Sequence, residues 1–461
     1  MKPESLLKFL IWLYLALLVF EGALRKWVLP GMSDALLIVR DPIVILIYLL
    51  ALGQSRFPLN GWTFTTIALA GAAFVGALLA GQDNLLITFY GIRTNFLHVP
   101  LIWVMAAVLT RRDVENLGRV ILLLAIPMTL LMVVQFKSAP TAYINRGVGD
   151  SEEGMGQLYG AMGHIRPPGF FAFITGPQLF FPLALAFLCH QFTAKRRLFW
   201  PILAACGVAI LIAVPISISR TLAVATIFIV AVFIPAMAVT GRLRSDLLRT
   251  GAIVAVVIVV VSFLPIFDDA REAFLSRWET AQAGQEAQEG VGVGSIFDRL
   301  FGGWDYLYSV LSTAPVFGSG VGMGSNVAAR LATGRLGFLL AENEWAKCLL
   351  ELGPLLGLAF LGYRLLLAAA LLRRSLRRLF IDRDFLPLLI LCACASAIVF
   401  GQWAPPTILG FAVFGSGLCL AACQDEPEEE TEEDDEEALE SDSDEAITDD
   451  ESEDRHSASA P

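Results

Sequence analysis

Long runs of apolar residues recur along the whole chain, and they constrain its fold more than any other feature. A helix needs ~20 mostly apolar residues to cross the hydrocarbon core of a bilayer. About twelve such runs lie near residues 5–22, 34–52, 62–80, 96–110, 117–136, 169–191, 198–216, 221–240, 249–266, 345–372, 385–401 and 405–423. Because a spanning helix satisfies its own backbone hydrogen bonds, the pattern predicts an all-α, polytopic integral membrane domain over residues 1–423. We expect the first run to be a retained helix, with a cleaved signal peptide as the alternative.

The C-terminal segment 424–461 differs sharply in composition from the rest of the chain. It holds 20 of the 44 acidic residues, one of the 33 lysines and arginines, and no aromatic side chain. The remaining 32 basic and 24 acidic residues give the membrane domain a net charge of +8, although the whole chain carries −11. A segment this charged has too little apolar surface to offset the entropy cost of ordering, so we expect a disordered acidic tail.

Basic residues in the short loops predict the orientation of the helices. They cluster after the fourth, sixth, eighth and tenth runs, at Arg111 and Arg112, Lys195 to Arg197, Arg242 and Arg244, and Arg373 to Arg378. Cytoplasmic loops carry an excess of lysine and arginine, so we expect every second loop and both termini to be cytoplasmic. The same alternation predicts two large outer loops, at about 140–168 and 267–344. Long loops are usually functional, so we expect any chemistry on the outer face.

Two polar groups stand at the predicted outer edge of the bilayer, where charged side chains are costly and suggest function. His164–Phe171 contains Arg166 ahead of two prolines, and Ser217–Thr221 contains Arg220 in a tight turn. Both arginines have a simpler interpretation as interfacial anchors that contact lipid phosphates.

Two further polar groups follow in the second outer loop and at the start of the tenth run. The loop carries Arg271, Arg277 and Arg299 ahead of the glycine-rich run Gly318–Gly324, and Glu342–Gly357 comes next. Glycines alone indicate little, because they are common in loops.

The start of the tenth run carries several charges. In a helix, Glu344, Lys347 and Glu351 share one face, and Lys347 and Glu351 are spaced for an intrahelical ion pair.

Together these groups suggest a site for displacing a pyrophosphate leaving group. Arginines gathered on one side of the membrane suit a multiply charged anion, which a guanidinium can grip through two hydrogen bonds. A carboxylate nearby, Glu342 or Glu344, could accept the proton of a hydroxyl nucleophile.

The order of these motifs resembles the O-antigen ligase and polymerase-like membrane proteins over residues of about 117–372. The resemblance rests on Arg166–Phe170 as Arg-x-x-Gly-Phe, the Ser219–Arg220 turn, Arg271–Leu275 in the outer loop, and Asn343 followed after nine residues by Gly353. Glu342 stands where that family has a histidine.

The resemblance implies an all-helical, GT-C-like membrane glycosyltransferase that needs neither a metal nor a cofactor. Its donor would be an undecaprenyl-pyrophosphate-linked oligosaccharide, and its acceptor a glycan or lipid hydroxyl outside the bacterial inner membrane. By the resemblance, Arg220 and Arg271 would hold the pyrophosphate and Glu342 would activate the acceptor. We expect Arg166, Arg277, Asn343, Gly320 and Gly322 to bind substrate.

We expect the partners to be the lipid bilayer, the lipid-linked glycan and, as a further possibility, polysaccharide-assembly proteins, with no nucleic acid. The alternatives are a secondary transporter and a non-catalytic polysaccharide-export member of the same superfamily. The N-terminal stretch FEGALRKWVLP has no counterpart in the resemblance. We interpret Arg40 and Asp41, which follow it, as a buried structural pair.

Overall fold

A computed structural model describes most of the membrane domain as an assembly of helices. The described residues are 3–148, 162–194, 197–241, 268–269, 272, 275–276, 303–334, 339–341 and 343–424. The predicted acidic tail from residue 425 onward and the predicted ninth run therefore lie outside the described residues.

Fifteen α-helices are defined in the described ranges. They are α1 Pro3–Ala23, α2 Ser33–Leu36, α3 Asp41–Gly53, α4 Gly61–Leu79, α5 Leu85–Ile92, α6 Leu101–Val108, α7 Arg111–Lys137, α8 Thr175–Gln191, α9 Trp200–Ile216, α10 Arg220–Val239, α11 Gly303–Thr313, α12 Asn326–Thr333, α13 Glu344–Ile381, α14 Leu386–Val399 and α15 Pro406–Ala422. Short π-helical turns at Leu24–Val28 and Arg93–Leu97 continue α1 and α5.

Seven helical segments are long and apolar enough to cross a membrane, judged by length and composition over the described residues. They are Glu4–Val28, Pro30–Gly53, Gly61–Leu79, Leu85–Val108, Arg111–Lys137, Arg220–Val239 and Glu344–Ile381. Three shorter apolar helices, α9, α14 and α15, add to them. The polytopic, all-helical prediction is confirmed in this form, and the count of twelve spans stays a prediction.

The centre of the assembly is formed by α6, α8, α14 and α15. Phe181, Phe187 and Phe414 are among its fully buried side chains. Large apolar side chains such as Phe64 and Leu355 instead point outward. A soluble protein would hide these groups, whereas the hydrocarbon of a bilayer solvates them at no cost.

The ends of the helices form two groups, and polar contacts join the helix ends within each group. At what we call the basic-loop end, Lys8 bonds Asp113 at 2.8 Å and Arg111 bonds Asp384 at 2.7 Å. Other contacts at this end are Arg56 with Glu4, His190 with Glu115, Arg378 with the Cys423 carbonyl and Arg383 with the Val239 carbonyl.

The opposite set we call the glycine-loop end. There Lys26 bonds the Gly169 carbonyl, Arg330 bonds Asp34, Gln178 bonds Ser219 and Arg40 bonds the Pro406 carbonyl. The loops predicted to alternate across the bilayer thus also alternate between these two ends. Which end faces the cytoplasm stays a prediction.

Candidate functional site

The residues predicted to form a site divide into two groups. Glu342, Arg271 and Arg277 lie outside the described residues. The others all lie at the glycine-loop end: Arg166, Arg220, Gly320, Gly322 and Asn343.

A break in α13 organises this end of the molecule. Gly353 leaves the helical conformation, with φ 80° and ψ 168°, and Pro354 follows it. Asn343 caps the first segment, because its side-chain oxygen accepts hydrogen bonds from the backbone N–H groups of Trp345, at 2.9 Å, and Ala346, at 3.3 Å. This cap gives Asn343 a structural role, since it satisfies donors that a helix start leaves open.

The chain from Pro315 to Gly324, which we call the glycine loop, packs into this break. In a continuous helix the Leu350 carbonyl would accept from the backbone of residue 354, but Pro354 has no N–H to give. Ser319 N–H takes its place and donates to that carbonyl at 2.8 Å, and Gly320 N–H donates to the Glu351 carbonyl at 3.0 Å. The glycine loop therefore completes the hydrogen bonding that the break interrupts.

The approach of the two backbones is too close for side chains. A Cβ atom on Gly353 would lie 2.1 Å from the Val316 carbonyl oxygen, and one on Gly318 would lie 2.3 Å from the Glu351 carbonyl oxygen. Gly320 and Gly322 have φ of 95° and 91°, which favour glycine. These glycines have a packing reason to be present, whether or not they also bind substrate.

Two acidic and two basic side chains of the described residues are buried beside the break, so their charges sum to zero. They are Glu344, Lys347, Glu351 and Arg364. The Glu344 carboxylate accepts from Lys347 Nζ at 3.1 Å and from Arg364 Nη1 at 2.9 Å. Arg364 also donates to the carbonyls of Ile398, at 2.8 Å, and Gly401, at 2.6 Å.

The predicted ion pair of Lys347 with Glu351 is wrong in its partner, because Lys347 turns to Glu344 instead. The Glu351 carboxylate accepts from the Gly324 backbone N–H at 2.6 Å. Glu351 thus fastens the far end of the glycine loop. The helical spacing allowed Lys347 to pair with Glu344 or with Glu351. The glycine loop engages Glu351, and Lys347 bonds Glu344.

A cleft of about 340 Å³ opens where the glycine loop meets the start of α5. Gln82, Asp83, Asn84, Ser319, Met323 and Leu331 line it. Gln82 joins the two sides, since its amide donates to the Val321 carbonyl at 3.4 Å and its oxygen accepts from Thr88 at 2.9 Å. The lining of the cleft combines the polar groups of Gln82, Asp83, Asn84 and Ser319 with the apolar side chains of Ile87, Met323 and Leu331.

Arg220 begins helix α10, and Arg166 lies in the irregular segment that precedes α8. Arg220 is the first residue of α10, whose N-cap Ser219 accepts a hydrogen bond from Gln178 at 2.7 Å. Arg166 precedes the turn at Gly169, whose carbonyl accepts from Lys26 Nζ at 2.9 Å. Both arginines are half-buried, and each engages other groups.

A second cluster of buried charges lies between α1, α3 and α5. The sequence analysis did not predict that these charges would come together. The predicted pair of Arg40 with Asp41 is wrong, because adjacent residues of a helical turn point to different faces. Arg40 Nε instead faces Glu21 at 3.4 Å, and Asp41 bonds Arg93, with Nη2 to Oδ1 at 3.1 Å, and His98 at 2.9 Å. The signal in the sequence was the presence of charged residues within apolar runs: Glu21 at the end of the first run, and Arg40 and Asp41 inside the second.

Lys26 is the most isolated of these cations. Its side chain is fully buried, its ammonium donates to the Gly169 carbonyl, and it lies 4.3 Å from the centroid of the Trp27 ring. Among the described residues no carboxylate pairs with it. A buried ammonium held by neutral groups is costly, so this lysine is a candidate for function.

The described part of the site therefore offers a small cleft of mixed lining and, at the same end of the molecule, the basic residues Arg166 and Arg220. Among the described residues, no group of histidines, cysteines or carboxylates is arranged to hold a metal ion. Comparison of the chain with protein-family models, with curated proteins and with solved structures finds no match.

Proposed function

We propose that the chain is a membrane glycosyltransferase of the O-antigen ligase and polymerase type. It would take glycan from an undecaprenyl-pyrophosphate-linked donor and transfer it to an acceptor hydroxyl on the outer face of the bacterial inner membrane. Both termini, including the acidic tail, would lie in the cytoplasm.

The observation that carries the proposal is the glycine loop seated in the broken helix α13, beside a cleft at the end where Arg166 and Arg220 also lie. A rigid break stabilised from two sides can hold a sugar chain in one orientation. Arginines at the same end suit the pyrophosphate, because guanidinium groups pair with phosphate oxygens through two hydrogen bonds.

The reaction would be a displacement at the anomeric carbon of the donor sugar. The acceptor hydroxyl oxygen forms the new bond, the bond from carbon to the pyrophosphate oxygen breaks, and undecaprenyl pyrophosphate leaves. Glu342 would take the hydroxyl proton. Glu344 is poorly suited to that role, because its buried carboxylate already accepts from Lys347 and Arg364.

The test is the surface polysaccharide of a host strain that lacks the gene and carries a variant copy. Arg220→Ala should abolish chain extension or transfer, whereas Arg330→Ala should leave it intact. Arg330 is a matched control because it lies at the same end but is 60% exposed and pairs with Asp34 on the surface. Normal polysaccharide with Arg220→Ala, at equal protein level in the membrane, would reject the proposal.

Purified protein gives a second test with lipid-linked oligosaccharide as the only donor. Glycan length should change with the wild type and not with Glu342→Ala, and Glu342→His should retain part of the activity. Loss of glycan transfer with Glu342→Ala, when Glu342→His retains part of it, would distinguish an enzyme from a non-catalytic export protein. A chain that ends at residue 424 should keep activity, since the tail is proposed to lie across the membrane from the site.

The second candidate function is secondary transport, and the break at Gly353 is the observation that favours it. Transporters build midplane substrate sites from discontinuous helices. The break here follows only two turns of helix and is filled by the glycine loop, which is better suited to a fixed site than to a moving gate. Substrate-driven flux in proteoliposomes, without glycan transfer, would support the transporter instead.

A further inference from the structure

The cluster between α1, α3 and α5 carries more positive than negative charge. Its members are Glu21, Arg25, Arg40, Asp41 and Arg93, and all five are largely buried. Among the described residues three guanidiniums face two carboxylates, and Asp34 nearby is exposed and already pairs with Arg330. A buried cation without a compensating anion is strongly unfavourable.

Two of these guanidiniums donate hydrogen bonds to the backbone of the same short segment, residues 33–37. Arg25 Nε donates to the Ser33 carbonyl at 3.0 Å, and Arg93 Nη2 donates to the Leu37 carbonyl at 2.8 Å. Ser33 and Leu37 are one helical turn apart, so the guanidiniums are held side by side. Glu21 lies beside Arg25 at 3.3 Å and Asp41 beside Arg93 at 3.1 Å, but Arg40 shares Glu21 with Arg25, so one positive charge of the cluster remains in excess.

Two guanidinium donors of the cluster, Arg40 Nε and Arg93 Nη1, have no hydrogen-bond acceptor among the described residues. Among the described residues Arg93 Nη1 is buried and makes no hydrogen bond, although Nε and Nη2 of the same group are engaged by Asp41 and Leu37. Buried N–H groups are almost always satisfied, so this donor calls for a partner such as an ion or a water molecule. The Arg93 side chain is 15% exposed, so it is not completely enclosed by the described residues.

We propose that Arg25 and Arg93, backed by Arg40, form a binding site for a phosphate-type oxyanion. Such an anion has several acceptor oxygens and one or two negative charges, and it would satisfy the free Arg93 donor and cancel the excess charge together. The oxyanion could belong to a lipid headgroup or to a soluble phosphate or pyrophosphate, since both present the same oxygens. The inference stands on this cluster and does not depend on the proposed glycan transfer.

The experiment uses the full chain in nanodiscs, with two arms that separate the sources. In the first arm, nanodiscs of phosphatidylcholine are titrated with inorganic pyrophosphate and binding is measured by calorimetry. In the second, nanodiscs that also contain phosphatidylglycerol are used, and the anionic lipid retained after release into detergent is counted by native mass spectrometry. Binding in the first arm indicates a soluble anion, and selective retention in the second indicates a lipid headgroup.

Arg93→Lys is the informative variant, because it keeps a cation opposite Asp41 but removes the free guanidinium donor. We expect it to weaken anion binding by about tenfold or more. Arg25→Lys tests the second guanidinium independently and serves if Arg93→Lys fails to fold. Arg330→Lys, on an exposed arginine at the same end, should bind as the wild type does.

Two results would overturn the proposal. One is a wild type that binds neither pyrophosphate nor phosphatidylglycerol. The other is an equal loss of binding with Arg330→Lys and Arg93→Lys, since that would indicate general attraction to a basic surface. Gel filtration and thermal unfolding of each variant establish that the protein compared is folded.

Discussion

Replacement of Arg364 by methionine should destabilise the protein more than any comparable change on the outside of the same helix. Arg364 and Glu344 are each 1% exposed, and they form an ion pair of 2.9 Å. The four charges at the break sum to zero, so the variant leaves Lys347 alone against Glu344 and Glu351. Removal of one partner of a buried pair costs ~3–5 kcal/mol, because the other charge stays buried without compensation.

The loss should be largely recovered in the double variant Glu344→Gln with Arg364→Met. That combination restores neutrality, because Lys347 and Glu351 remain as one cation and one anion. The two changes should therefore couple by ~2 kcal/mol or more in a double-mutant cycle. Simple loss of packing would give additive effects instead.

The assay is the free energy of unfolding from titration with sodium dodecyl sulfate in mixed micelles, followed by circular dichroism. Arg374→Met on the exposed face of α13 is the matched control and should change that free energy by less than ~0.5 kcal/mol. If Arg364→Met were as mild as this control, the buried charge balance at the break would be rejected.

Three further predictions concern single residues, each measured by the same unfolding assay. Gly353→Ala should destabilise strongly, because its φ is 80° and the new Cβ would meet the Val316 carbonyl at 2.1 Å, whereas Gly362→Ala, with open space around it, should be neutral or slightly stabilising. Equal effects of the two would argue against a rigid break. Lys26→Met should leave stability unchanged or raise it, since an apolar side chain of similar length replaces a buried ammonium that no carboxylate of the described residues balances; a large loss would mean that Lys26 has an anionic partner. Asn343→Ala should cost ~1 kcal/mol through the lost helix cap, and no change would show that the cap is dispensable.

The helices and their ends were largely predictable, because they depend on local properties of the chain. An apolar run of sufficient length forms a helix in a membrane whatever its neighbours are, and polar residues mark where it stops. The described runs are indeed helical, and the loops with basic clusters that are described lie together at one end. Asn343 also carried a local signal, since an asparagine directly before a helix commonly caps it.

The partners of the buried charges were decided by the tertiary structure alone. The spacing of Lys347 allowed a pair with Glu344 or with Glu351, and only the glycine loop, about thirty residues earlier, engaged Glu351 and left Glu344 to Lys347 and Arg364. Similarly, the sequence placed Arg40 beside Asp41, but packing of α1 and α5 against α3 gave each a different partner. A charge in a low-dielectric interior pairs with the opposite charge nearest in space. Local sequence patterns do not predict which charges of different helices come close together.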